Sequence, residues 1–287
     1  MRAAWRRGGS RVAMEERAKG LGRRRGLWRG MCAILGVALL AGAGRPAVAQ
    51  AAALPDAPQP QQEARDAVTA RNSPRHVFED QRAIWTSPAR LRGRDALWLA
   101  PLALATGAAI ASDHRAMRDV VSSNASLNQD SINASNALIG GFVAAPVALF
   151  GYGHLKQNEK ARETGILSSE ALVDGLVVEE AMKLAFWRER PALDSARGRF
   201  FQSSAGADSS FPSAHATLAW AAASSIAGEY QSPWTQIFVY SAATGVSLTR
   251  VMGRQHFPSD VLVGSAAGWL VGHYVVRRRH RHAQAMR

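Results

Sequence analysis

From residue 95 onward, broad apolar stretches are broken by short polar ones, and no stretch alternates with period two for long. That pattern predicts helices rather than strands. Six are expected, at about 95–112, 132–156, 160–188, 213–228, 233–251 and 258–277. Their apolar faces are wide and rich in Ala, Gly and Ser, as in helices that pack closely. The fold class expected is all-α, a compact bundle of about six core helices. Ser213 suits the N-cap of the fourth helix, and Pro258 with Ser259 reads as the start of the sixth.

Upstream of the bundle the pattern changes. Residues 1–30 are basic and polar, Met31–Gly44 is a short apolar run, and Ala47-Val48-Ala49 has the small-x-small form of a cleavage site. Residues 1–49 therefore read as a secretory signal peptide, with Met14 as an alternative start. The run is short for a membrane span, although an uncleaved anchor stays an alternative. Residues 50–75, rich in Ala, Pro and Gln, read as a disordered linker. Residues 76–94 read as a short amphipathic helix and turn, 95–278 as the helical domain, and 279–287 as a solvated basic tail.

Charge and cysteine content alter this picture little. The net charge is +13. Eleven basic and two acidic residues lie in positions 1–49, leaving only +4 on the rest. Without basic-aromatic interleaving, nucleic acid is not an expected partner. The single cysteine, Cys32, lies in the apolar run, so an exported product has no disulfide.

The candidate chemistry lies in three blocks. Lys183, Arg190 and Pro191 form Lys-x6-Arg-Pro. Phe211 to His215 contains Pro-Ser-x-His. The third block runs from Thr249 to Asp260, with Arg250, His256 and Asp260. At a helix start, Asp260 lies one turn beyond His256, where a carboxylate can fix an imidazole tautomer and leave the other nitrogen free to attack. Lys183, Arg190 and Arg250 are cations suited to phosphate oxygens. Backbone N–H groups of Ala214 and His215, behind Ser213, suit an anion at a helix N-terminus. Each residue also has a plain structural reading: a dipole-complementing Lys183 paired with Glu179, a surface Arg190, a capping Ser213 or Asp260.

Taken together and in this order, the blocks resemble the type 2 phosphatidic acid phosphatase (PAP2) superfamily, which includes bacterial nonspecific acid phosphatases and vanadium haloperoxidases. The resemblance is close from Lys183 to Asp260 and loose in the flanking helices. It implies a metal-independent phosphomonoesterase acting on a phosphorylated small molecule, a lipid phosphate or a lipid pyrophosphate. It implies His256 as the nucleophile that forms phosphohistidine, Asp260 orienting it, and His215 as general acid. Lys183, Arg190, Ser213, Ala214 and Arg250 would hold the phosphate. No cofactor or metal is implied, vanadate serving as a phosphate mimic. The alternatives are a vanadate-dependent haloperoxidase with vanadate on His256, and a phosphate-binding protein without turnover. Two positions depart from the family: Ala214 stands for the usual Gly, which matters if a positive φ is needed there, and Thr249 stands for Ser.

All site blocks must share one end of the bundle, which also places residues 113–131 and 192–211 there, around substrate access. Six spans after an N-terminal signal would put that end in the cytoplasm and the Arg-rich tail outside, against the positive-inside tendency. An exported, periplasmic globular domain is therefore expected, with an integral or peripheral membrane protein as the alternative. A membrane surface is a candidate partner. Asp113 is a candidate for the catalytic end. His114, His154 and His273 are expected in packing or helix-end roles, and Glu163 and Glu170 in solvated or capping ones.

Overall fold

The computed structural model describes residues 68–202 and 208–285. The signal peptide expected at 1–49 and the linker as far as residue 67 lie outside them. Among the described residues there are helices and no strands. They are α1 (Ser73–Thr86), α2 (Ala96–Arg115), α3 (Ala125–Leu155), α4 (Glu159–Phe186), α5 (Ala214–Glu229), α6 (Pro233–Met252) and α7 (Pro258–Ala285). Short 3-10 turns join α1 to α2, and a π-helical turn, Ala116–Val120, follows α2.

Helix α5 forms the centre. Its Ala216, Ala219, Ala221, Ala222 and Ala223 are fully buried. Small side chains let its backbone meet that of α7, where Gly264, Gly268 and Gly272 recur every fourth residue and so share one face. A Cβ on Gly268 would lie 2.1 Å from the Thr217 carbonyl oxygen, and one on Gly272 2.3 Å from that of Ala221. Only glycine permits this approach. It sets the Ser213 start of α5 beside the start of α7, where the Ser213 N–H donates to the Asp260 carbonyl at 3.1 Å.

Helix ends follow local chemistry. Asn124 caps α3, its side chain accepting from the N–H groups of Ser126 and Leu127. The cap starts that helix seven residues before the expected 132. Asn158 caps α4 in the same manner. Trp187, left-handed at φ 38°, stops α4 and turns the chain back over the bundle.

The N-terminal helix and the C-terminal tail differ most from expectation. Helix α1 begins at Ser73, so the last three residues assigned to the linker are helical. It packs along α4 and α7. There His76 Nδ1 lies 2.9 Å from Glu170 Oε1, Gln81 donates to Asp174 at 2.8 Å, and Asp80 pairs with Arg278 and Arg279. Glu170 is thus buried in a charge cluster, not solvated. The basic tail is likewise not solvated at its start. Helix α7 continues to Ala285 because Asp80, Glu79 and Glu170 supply partners for Arg278 and Arg279. Burying either sign alone would be costly, and pairing makes it tolerable.

The flank formed by α2, α3 and α6 is different. Leu97, Leu104, Leu127, Leu155, Trp234 and Phe238 are all more than half exposed. Residues 93–120 and 125–155 are long and apolar enough to cross a membrane, and the apolar window of the first is not buried at all. Contiguous apolar exposure on this scale points to association with a membrane. This favours the membrane-bound alternative over a free globular domain.

Candidate active site

The three sequence blocks converge at one end of the bundle. Lys183 ends α4, Ser213 caps α5, Arg250 lies in the last turn of α6, and His256 precedes α7. The shared end is seen in the electrostatics of the two histidines. Burial first, then the positive fields of Arg250, Arg190 and Lys183, hold His215 well below its ordinary pKa. Burial and the fields of Arg190, Arg250 and Lys183 do the same to His256. The same three cations therefore act on both imidazoles.

Each cation is held in place. Lys183, 3% exposed, lies 2.7 Å from Glu179, whose own pKa burial raises to about 7. Its expected structural pairing and its place among the site cations hold together. Arg190 donates to the Gln255 carbonyl at 3.1 Å and to Asp208 at 2.8 Å, which fastens the segment after α4 to the loop before His256. Arg250 donates to Ser135 of α3 at 3.2 Å. Ser213 accepts from Ala216 N–H at 3.5 Å, a long capping bond. Ala214 is not among the residues of positive φ, so alanine occupies the helical start in place of glycine without strain. Thr249 turns its hydroxyl onto the Gly245 carbonyl at 2.7 Å, away from any site role.

The histidines are oriented by different partners. His256 Nδ1 faces the Ser210 carbonyl at 2.8 Å, so it carries the proton and Nε2 keeps its lone pair. Sequence reasoning assigned that orientation to Asp260, but Asp260 Oδ2 stands 3.7 Å from Nδ1 and accepts instead from the Phe257 N–H at 2.8 Å. The carboxylate is beside the ring without fixing its tautomer. Burial raises its pKa to about 7, against the pull of Arg188. His215 Nε2 lies 3.1 Å from Asn136 Oδ1 of α3.

Several contributors were not foreseen. Ser135, Asn136 and Ser210 supply orienting oxygens, and polar residues on an apolar helix or in a loop carry little spacing signal. Arg188 is buried and bridges Asp113 and Asp260. The adjacent Trp-Arg-Glu-Arg-Pro run could have pointed to it, since Arg188 and Arg190 flank one residue in a non-helical segment. Asp113 does lie at the end where the three blocks meet, bonded to Ser259. The described parts of 113–131 and 192–211 also reach this end, through contacts from Arg254 to Met117 and Val121, and from Arg188 to Gly198; residues 203–207 lie outside the described residues. His154 stacks on Phe150 and His273 on Trp269, both packing roles.

An apolar crevice of about 1030 Å³ opens beside this end, between α2, α6 and α7. None of the predicted site residues lines it. Its nearest rim, Val251, Met252 and Pro258, consists of chain neighbours of Arg250 and His256.

Residues 164–283 match the PAP2 superfamily. Over 104 residues the chain is 36% identical to the lipid A 1-phosphatase of Porphyromonas gingivalis, which covers 36% of this chain and 20% of that protein. The chain thus spans about a fifth of that relative's length. No solved structure matches the chain.

Proposed function

We propose that this chain, a PAP2-superfamily member through its residues 164–283, is a phosphatase that cleaves lipid phosphate esters through phosphohistidine. The observation that carries this reading is that the three blocks meet at one end of the bundle, Arg190 bonded to the Gln255 carbonyl, Ser213 to Asp260, and Arg250 and His215 to the adjacent Ser135 and Asn136, with Nδ1 of His256 held so that Nε2 is free. Lys183, Arg190 and Arg250 would bind the equatorial oxygens and neutralise the charge that develops on them. The His256 Nε2 lone pair would form an N–P bond as the ester P–O bond breaks. The departing alkoxide would take a proton from His215. Water would then attack phosphorus, giving a proton to His215, and the N–P electron pair would return to Nε2. In this reading side chains do the charge neutralisation and no metal is required.

A lipid phosphate is favoured over a soluble ester by two features. The related Porphyromonas protein is named for a lipid phosphate. The apolar flank and crevice border the catalytic end, where a membrane-bound substrate would present its headgroup. We place the catalytic end on the exported, periplasmic side of a membrane. The test is turnover by the purified full chain of p-nitrophenyl phosphate and of a lipid phosphate in detergent micelles. The wild type should turn over both, the lipid faster, with inhibition by vanadate. His256→Ala should lose at least about 10³-fold in kcat, the scale of removing a nucleophile. Full activity in that variant would overturn the reading. Halide oxidation dependent on vanadate and peroxide would replace it with the haloperoxidase alternative.

A further inference from the structure

We infer that Asp113, Arg188 and Asp260 form a buried charge bridge that positions His256, with Asp113 tying the end of α2 to the nucleophile. This rests on the proposed role of His256. Arg188 Nη2 lies 2.7 Å from Asp113 Oδ2, and its Nη1 lies 2.5 Å from Asp260 Oδ1. All three side chains are within 2% of complete burial. The guanidinium is sandwiched between the rings of Phe200 and Phe257, 4.6 and 4.2 Å from their centroids, and donates to the Gly198 carbonyl at 3.0 Å. Such a planar cation has no freedom to turn away.

The bridge reaches His256 by two routes. Asp113 accepts from the Ser259 N–H at 3.1 Å and from its hydroxyl, and Asp260 accepts from the Phe257 N–H. These bonds fix the backbone immediately after His256. On the other side, the Arg188 carbonyl accepts from Ser210 N–H at 2.8 Å, and Ser210 presents the carbonyl that holds Nδ1. One residue thus anchors both the segment that carries the ring and the group that orients it. Phosphorylation of Nε2 would make the ring cationic. Asp260 is the carboxylate beside it, and its ionisation is set against Arg188 on one side and Asp113 on the other.

Other charged groups acting on His256 are Lys183 of α4, Arg190 of the following segment and Arg250 of α6, and the same three act on His215 of α5. Helix α3 contributes Ser135 and Asn136, which do not titrate. Activity that needs ionised Asp260 is lost as pH falls. Asp113→Asn removes a repelling charge, so this acid limb of kcat should move to lower pH. Arg188→Gln removes the attracting charge, so the limb should move to higher pH, and Arg188→Lys should bring it partly back. Because the phosphate cations are untouched, KM should stay within about twofold while kcat falls by roughly 10²-fold in Arg188→Gln, the scale of a misplaced reacting group.

The measurements are pH profiles of kcat and KM for the full chain, with the imidazole of His256 followed by nitrogen NMR of histidine-labelled protein. Limbs that do not move, or that move the same way in both variants, would overturn the bridge, whatever the loss of folded protein. If Arg188→Gln fails to fold, the isosteric Asp113→Asn decides by its limb and by the His256 titration. Turnover retained in His256→Ala would instead defeat the phosphohistidine reading. The NMR titration would still report whether the bridge governs the ring.

Discussion

At the scale of single residues, one electrostatic field serves the two histidines unequally. Depression by burial and three cations keeps His256 neutral, as the proposed nucleophilic role requires. It also strips the proton that His215 would need in its proposed role as an acid. A dianionic phosphate in the cradle would offset the cations and return that proton. With protonated His215 scarce at neutral pH and Asp260 ionising near 7, kcat/KM of the free protein should be low and level between the two pKa values and fall above about 7, while kcat persists to higher pH. Lys183→Gln removes one of the fields on His215, so the acid limb of kcat/KM should move to higher pH, at the cost of weaker binding. Steady-state profiles on p-nitrophenyl phosphate check both. The site was legible in part because Lys183, Arg190, His215, Arg250 and His256 keep set spacings from helix ends. Arg188, Asn136 and Ser210 were not, because their roles come from contacts between segments 71, 79 and 46 positions apart in the chain.

At the scale of elements, periodicity located all six expected helices, and caps moved their ends. The Asn124 cap and the charge partners of Arg278 and Arg279 lengthened α3 and α7 beyond what apolar patterning alone suggested. The packing of α5 on α7 depends on a stripe that is visible in sequence but whose partner is not. Gly268→Val should lower the melting temperature by several degrees or prevent folding, since the new Cβ meets the backbone carbonyl of Thr217, and overpacking costs about 1–3 kcal/mol or more. Gly107→Ala on exposed α2 meets nothing within 4 Å and should be neutral or stabilising by about 1 kcal/mol. Thermal melts by circular dichroism compare the pair. An equal effect at both positions would contradict the close approach of the two helices.

At the scale of the described bundle, the exterior is two-sided. Helix α1 turns Arg75 and Arg82 outward, among exposed Phe78 and Trp85, and covers the polar stripe of α4 and α7, whereas α2, α3 and α6 expose mainly Leu, Trp and Phe. A bundle ringed by lipid would bury those α1 charges in hydrocarbon, which is costly. The membrane should instead meet the α2–α3–α6 flank. In single-tryptophan variants bound to vesicles with brominated acyl chains, Trp98 and Trp234 should be quenched strongly and Trp85 of α1 weakly. Equal quenching would show lipid on both flanks.

Helical periodicity, cap residues and the spacing of the blocks were enough to predict an all-α bundle and the end where the candidate residues gather, because these depend on neighbours within a few turns. Folding decided which oxygen holds His256, where Arg188 lies and which flank stays apolar. Those depend on atoms far apart in the chain, brought within bonding distance only when the glycine face of α7 closes on α5 and α1 covers the charges behind them.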